Sequence, residues 1–137
     1  MFTAKDDIVC YKLLKKRIFY TISIYQLFRY WRFKLYQTTL HLYKYPSVNI
    51  CLEGFHSFQT IEAAVKYCIN NHYANQKKIH LYKCIIPKGA QYVKGDSRCA
   101  NPVPFVHKID DSQQYCSDKI IIKNLVQNEF NKLIKKL

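Results

Sequence analysis

Residues 8–14 read IVCYKLL, a run of β-branched, aromatic and aliphatic side chains broken by one lysine. Such a run predicts a first strand. The KKR run at 15–17 follows as a turn or strand end, and residues 18–25 (IFYTISIY) are again β-rich without clean alternation. Residues 29–36 alternate better. As a strand they put Trp31, Phe33 and Leu35 on one face and Tyr30, Arg32, Lys34 and Tyr36 on the other. One face is then apolar and the other basic and aromatic. A helix over 24–36 is the alternative, because that stretch holds few helix breakers.

The period then changes. Ile61, Ala64, Val65, Cys68 and Ile69 recur at the spacing of one helical face, within a helix predicted over 57–72. Thr60 suits its N-cap, and Glu62 suits the positive end of its dipole. Residues 79–87 (IHLYKCIIP) predict a central strand ended by Pro87, with a turn at Lys88-Gly89 and a short strand over 91–93. Residues 95–114 are polar and turn-rich, a candidate ligand-facing loop. KIIIK at 119–123 predicts another buried strand. In the last segment Leu125, Val126, Phe130, Leu133, Ile134 and Leu137 form one helical stripe with Lys132, Lys135 and Lys136 off it. The fold class expected is α+β: a small, mainly antiparallel sheet, a central helix at about 60–72 and a C-terminal amphipathic helix. A single domain over 1–137 is expected, with a basic strand-rich part (8–52), an α+β scaffold (53–123) and the terminal helix (124–137).

Charge adds a second layer. The chain of 137 residues has a formal net charge of +13 from 22 basic and 9 acidic residues. Residues 8–52 contain no acid at all, yet hold Lys12, Lys15, Lys16, Arg17, Arg29, Arg32, Lys34 and Lys44. Unopposed positive charge attracts polyanions and raises their encounter rates. The longest uncharged stretch near the start, 18–28, is only eleven residues. That is half of what a membrane-spanning helix needs, so no transmembrane segment is expected. The opening MFTAKDDIVC lacks the apolar core of a cleavable signal. A cytoplasmic protein is expected.

Six cysteines stand at 10, 51, 68, 84, 99 and 116 without a C-x-x-C pair. Reduced, mostly buried thiols are expected, and no structural metal. No phosphate loop, nucleophile elbow or zinc-binding helix motif occurs, so no cofactor is implied. His56 and Ser57 stand where the chain enters its predicted central helix, a place where backbone amides can face an anion. They are the first candidates for phosphate binding or proton transfer; a histidine satisfied by nearby backbone is the plainer account. Ser117, beside Asp118, is a third catalytic candidate, in ordinary turn chemistry.

The runs GFHSFQTIEAAVKYC, YKCIIPKGAQYVKG and SDKIIIKN resemble a group of small uncharacterised proteins from bacteriophages and Bacteroidota. Residues 53–72, 81–95 and 116–122 carry this resemblance. It implies a shared scaffold and, for a phage-encoded chain, the host cytoplasm; the group has no established activity. The same segments resemble ADP-ribosyltransferase folds, in which a P-K-G turn follows a central strand. That resemblance implies an NAD-type cleft, although this chain has no Ser-Thr-Ser run and carries Asp118-Lys119 where that pattern has a glutamate.

Three functions follow as expectations. The first is a non-enzymatic module binding nucleic acid or a nucleotide through Lys15, Lys16, Arg17, Arg29, Tyr30, Arg32, Lys34, Tyr36 and Lys88. Cations hold phosphates there, and aromatic faces stack on bases. The second is a small nucleotide- or NAD-directed enzyme using His56, Ser57, Lys88 and Ser117. The third is a host- or virion-protein interaction module docking through the C-terminal stripe or the 96–114 loop.

Overall fold

The computed structural model describes residues 1–16, 21–23, 29–45, 48–70, 79–94, 98–99 and 114–136. In chain order these form β1 (Phe2–Thr3), β2 (Ile8–Lys16), β3 (Thr21–Ser23), β4 (Arg29–Tyr30), β5 (Leu35–Gln37), β6 (His41–Tyr45), β7 (Val48–Glu53) and β8 (Phe55–Phe58). The chain continues through α1 (Ile61–Asn70), β9 (Ile79–Ile86), β10 (Gln91–Lys94), β11 (Arg98–Cys99), β12 (Gln114–Ser117), β13 (Lys119–Leu125) and α2 (Gln127–Lys136). The fold is α+β, with an antiparallel sheet, a central helix and a C-terminal helix.

The main sheet runs β1-β10-β12-β8-β2-β9-β13-β5, and β3 and β4 branch from β2. Its spine is the antiparallel pair β2–β9, in register from Ile8↔Ile86 to Lys15↔Ile79. Both strands are rich in Ile, Val, Leu and Tyr, which suits a half-buried pleated surface. Between β8 and β2 the only paired position is Tyr11↔Phe58. The sheet is therefore nearly split there, and its two halves close over a shared core. Cys10, Leu14, Tyr82, Cys84, Ile86, Ile120 and Ile122 come from one half, and Phe55, Ala90 and Tyr115 from the other.

Alternation puts the remaining side chains of the central strands on the outer face. There Leu13, Ile79 and Leu81 meet Ala64, Val65 and Cys68 of α1 and Phe130 of α2. Val126, Leu133 and Ile134 join them, so the C-terminal stripe packs on its own sheet through these residues and Phe130; Leu125 is exposed, and Leu137 lies outside the described residues. Lys132, Lys135 and Lys136 remain exposed. No helix among the described residues is long and apolar enough to cross a membrane. A second sheet, β11-β7-β6, pairs β11 with β7 in parallel.

Several expectations change in detail. Strands over 8–16, 79–86, 91–94 and 119–125 stand where the pattern placed them. The central helix starts at Ile61, not at residue 57, and the Thr60 hydroxyl accepts the Ala63 N–H at 3.1 Å as its cap. Residues 55–58 form β8, paired with β12 from Phe55↔Ser117 to Phe58↔Gln114. Residues 29–36 are not one strand: β4 and β5 flank a turn in which Phe33 takes φ 63°. The Lys88-Gly89 turn is closed by Ala90 N–H donating to the Pro87 carbonyl at 3.0 Å. Gly89, at φ 89°, supplies the left-handed residue that turn requires. The 95–114 loop lies largely outside the described residues, and its Arg98–Cys99 forms β11. Cys10, Cys68 and Cys84 are free thiols. Cys116 is disulfide-bonded, which corrects the expectation of thiols throughout.

Candidate nucleic-acid interface

The turn between β4 and β5 gathers the chemistry that the composition hinted at. Residues 31–35 (Trp31, Arg32, Phe33, Lys34, Leu35) are all exposed, with Trp31 at 48% and Phe33 at 61%. A phenylalanine in the left-handed region costs on the order of 1–2 kcal/mol. What holds it is visible: Phe33 N–H donates to the Ile122 carbonyl at 2.7 Å. The Arg32 guanidinium lies over the Phe33 ring at 5.1 Å from its centroid, and the Lys123 ammonium approaches the same ring at 5.7 Å. Arg32 Nε also donates to the Lys123 carbonyl at 2.8 Å. A ring's negative face attracts cations, so Phe33 serves as a pedestal gathering two positive charges. Lys34 adds a third, its ammonium 5.7 Å from the Tyr36 ring centroid.

The two tyrosines lie deeper. Tyr30 is 3% exposed and meets Tyr36 edge-on, with centroids 5.2 Å apart. The Tyr36 hydroxyl accepts the Trp31 N–H. Burial, then the neighbouring Cys84 and Tyr36, pushes the Tyr30 phenol well above its ordinary value. The two expected faces do not persist: Trp31, Phe33 and Leu35 are exposed together with Arg32 and Lys34, while Tyr30 and Tyr36 anchor the turn to the core. The reversal at Phe33 breaks the strand alternation on which the sequence reading relied.

The other expected cations spread out. Arg29 is exposed on β4 beside the turn. Lys15 and Lys16 stand at the Ile79 end of the β2–β9 pair, and Lys88 lies beyond its Ile86 end. The two ends are seven residues apart, roughly 23 Å of strand. Lys88 N–H donates to Asp7 Oδ1 at 2.8 Å. Arg17 lies outside the described residues. Lys12, by contrast, is buried at 8% exposure, donates to the His56 carbonyl and sits 5.6 Å from the Tyr30 ring centroid. Lys123 was missed by the sequence reading, because a residue 91 positions from Arg32 reaches the turn only through the β13–β5 pairing.

The catalytic candidates do not converge. His56 and Ser57 are successive residues of β8, so their side chains leave opposite faces. Ser57 is 2% exposed with an unpartnered hydroxyl on the side of Phe55 and Tyr115. His56 is partly buried on the other side, opposite Cys116. Burial, then the Lys12 charge, lowers its pKa to about 4. Ser117 is fully buried, its hydroxyl donating to the Lys119 carbonyl at 3.0 Å. The backbone near Ser57 is occupied by strand pairing, so no helix amides present themselves beside His56. Among the described residues no three His, Cys, Asp or Glu side chains gather as metal ligands would.

Comparisons with protein-family models, with curated proteins and with solved structures return no match.

Proposed function

We propose that this chain is a non-enzymatic binding module for single-stranded nucleic acid, and that the β4–β5 turn is its contact surface. One observation carries the reading: two exposed aromatic side chains, Trp31 and Phe33, stand on a strained turn among Arg32, Lys34 and Lys123. Strained non-glycine residues cluster at functional sites, where the surrounding contacts hold them in place. Cations hold the phosphates of a strand, and exposed rings accept its bases by stacking, at about 1–3 kcal/mol per base. The separation of His56 from Ser57 and the burial of both serines give the enzymatic alternative nothing comparable.

The single tryptophan makes the test direct, because Trp31 fluorescence reports on this turn alone. Titration with a single-stranded oligonucleotide at low salt should quench it. Affinity should fall steeply as salt rises, and Arg32→Ala or Lys34→Ala should each reduce the salt slope by about one contact. Absence of quenching and of any binding to RNA or DNA at low salt would refute the proposal.

A further inference from the structure

Among the described residues, the helices cover only part of the outer face formed by β2, β9, β13 and β5. Over Leu13, Ile79 and Leu81 lie the two helices. Further along the same strands, the register aligns Val9↔Ile85, Ile85↔Ile121 and Ile121↔Leu35. Directly opposed residues share a face, so these four aliphatic side chains form one row across β2, β9, β13 and β5. Val9 is 42% and Leu35 49% exposed, and Ile85 and Ile121 are half-buried. Sheet faces of this kind normally lie under a second layer. Here the helical layer stops short, and the row continues the apolar surface that α1 and α2 cover.

Its borders are basic. Lys83, opposite Tyr11, and Lys123 flank it on the helix side; Lys119, opposite Gln37, flanks it on the other. Among the described residues, Asp7 and Asp118, the acids that lead into β2 and β13, each accept a backbone N–H, from Lys88 and Gln91 respectively. We infer that this row is a docking site for an acidic amphipathic helix of a partner protein. Four strands span three gaps of about 4.8 Å, roughly 14 Å in all. That is the length of about nine or ten helical residues. A helix laid there sets its apolar stripe on the four aliphatic side chains and its acidic flanks against lysines on both sides, as α1 and α2 set their own apolar stripes on the neighbouring surface. Other occupants fit less well. Aliphatic side chains offer no ring for stacking bases. A second copy would bring lysines against lysines, on a chain with a net charge of +13.

The test uses the full chain, isotope-labelled, and a synthetic helical peptide of about 14 residues with leucine along one face and glutamate on the others. Matched peptides replace the leucines by serine or the glutamates by lysine. Shift changes should centre on Val9, Leu35, Ile85 and Ile121. Both replacement peptides should bind at least about tenfold more weakly, a difference of about 1.4 kcal/mol or more. Val9→Ser and Leu35→Ser, at exposed positions that leave the core intact, should weaken the leucine–glutamate peptide to a similar extent. Val9→Ser should leave oligonucleotide quenching of Trp31 unchanged, which separates this site from the turn. The inference is overturned if the leucine- and serine-faced peptides bind alike, or if Val9→Ser and Leu35→Ser bind the peptide as the wild type does. It is also overturned if sedimentation shows a dimer that Leu35→Ser abolishes, or if Val9→Ser removes oligonucleotide binding, which would give the row to nucleic acid.

Discussion

His56 sits on β8 with the Lys12 ammonium bonded to its own carbonyl, and its ring is lowered to a pKa of about 4. In the unfolded chain a histidine titrates near 6.5. Between those values the unfolded state binds more protons, so stability must fall as pH falls through that window and level off below it. The full shift corresponds to about 3 kcal/mol. Urea unfolding at pH 7 and pH 4.5 should show this loss, and His56→Gln should remove most of it. His80, lowered by burial and by Lys16, adds in the same direction. A stability unchanged over that range would mean that His56 is solvated. At this scale the sequence was a partial guide. It singled out His56, Trp31 and Arg32, but not which way they face. The orientation of residues 30–36 depends on one backbone angle at Phe33, and no composition or period encodes a left-handed phenylalanine. The burial of Ser57 was equally hidden, because the residue paired with it, Tyr115, stands 58 positions away.

Among elements, α2 shows that a period marks an apolar face without marking what covers it. Its stripe was legible from period alone, and a basic amphipathic helix suits a partner groove as well as a home core. The structure uses it at home: Phe130 is 3% exposed among Leu13, Ala64 and Leu81. Phe130→Ala should therefore cost about 3–5 kcal/mol in chemical unfolding. A loss below about 1 kcal/mol would mean that α2 does not hold the outer layer. The long strands β2 and β9 and helix α1 were legible because each is long enough for its period to show. β8 and β12, four residues each, were not, and β8 merged with the helix that begins three residues after it. The β6–β7 hairpin was missed for another reason: its residues are β-rich, but nothing in them marks a separate small sheet.

For the whole molecule, the net charge of +13 acts on stability as well as on partners. Self-repulsion disfavours the compact state, and salt screens it. Raising sodium chloride from about 10 to 100 mM should raise the melting temperature by roughly 4 °C, equivalent to about 1 kcal/mol. A falling value would mean that local ion pairs outweigh the net repulsion. The same salt should weaken oligonucleotide binding, so the two responses run in opposite directions and separate folding from recognition.

Gly54 joins the two sheets. β7 belongs to the small sheet and β8 to the main one, and Gly54, at φ 151°, is the single residue between them. The chain thus changes sheets over a one-residue joint, in a conformation that only glycine adopts readily. A strand's side chains have a period of two, so the parity of the joint decides which residues of β8 look inward. One added residue, absorbed by a shift of β8 along β12, would send Phe55 and Ser57 outward and His56 and Phe58 into the core. Length is therefore conserved by geometry at Gly54, and the division of labour between the neighbours His56 and Ser57 is an arithmetical property of the chain: an odd or even count, not the chemistry of either side chain.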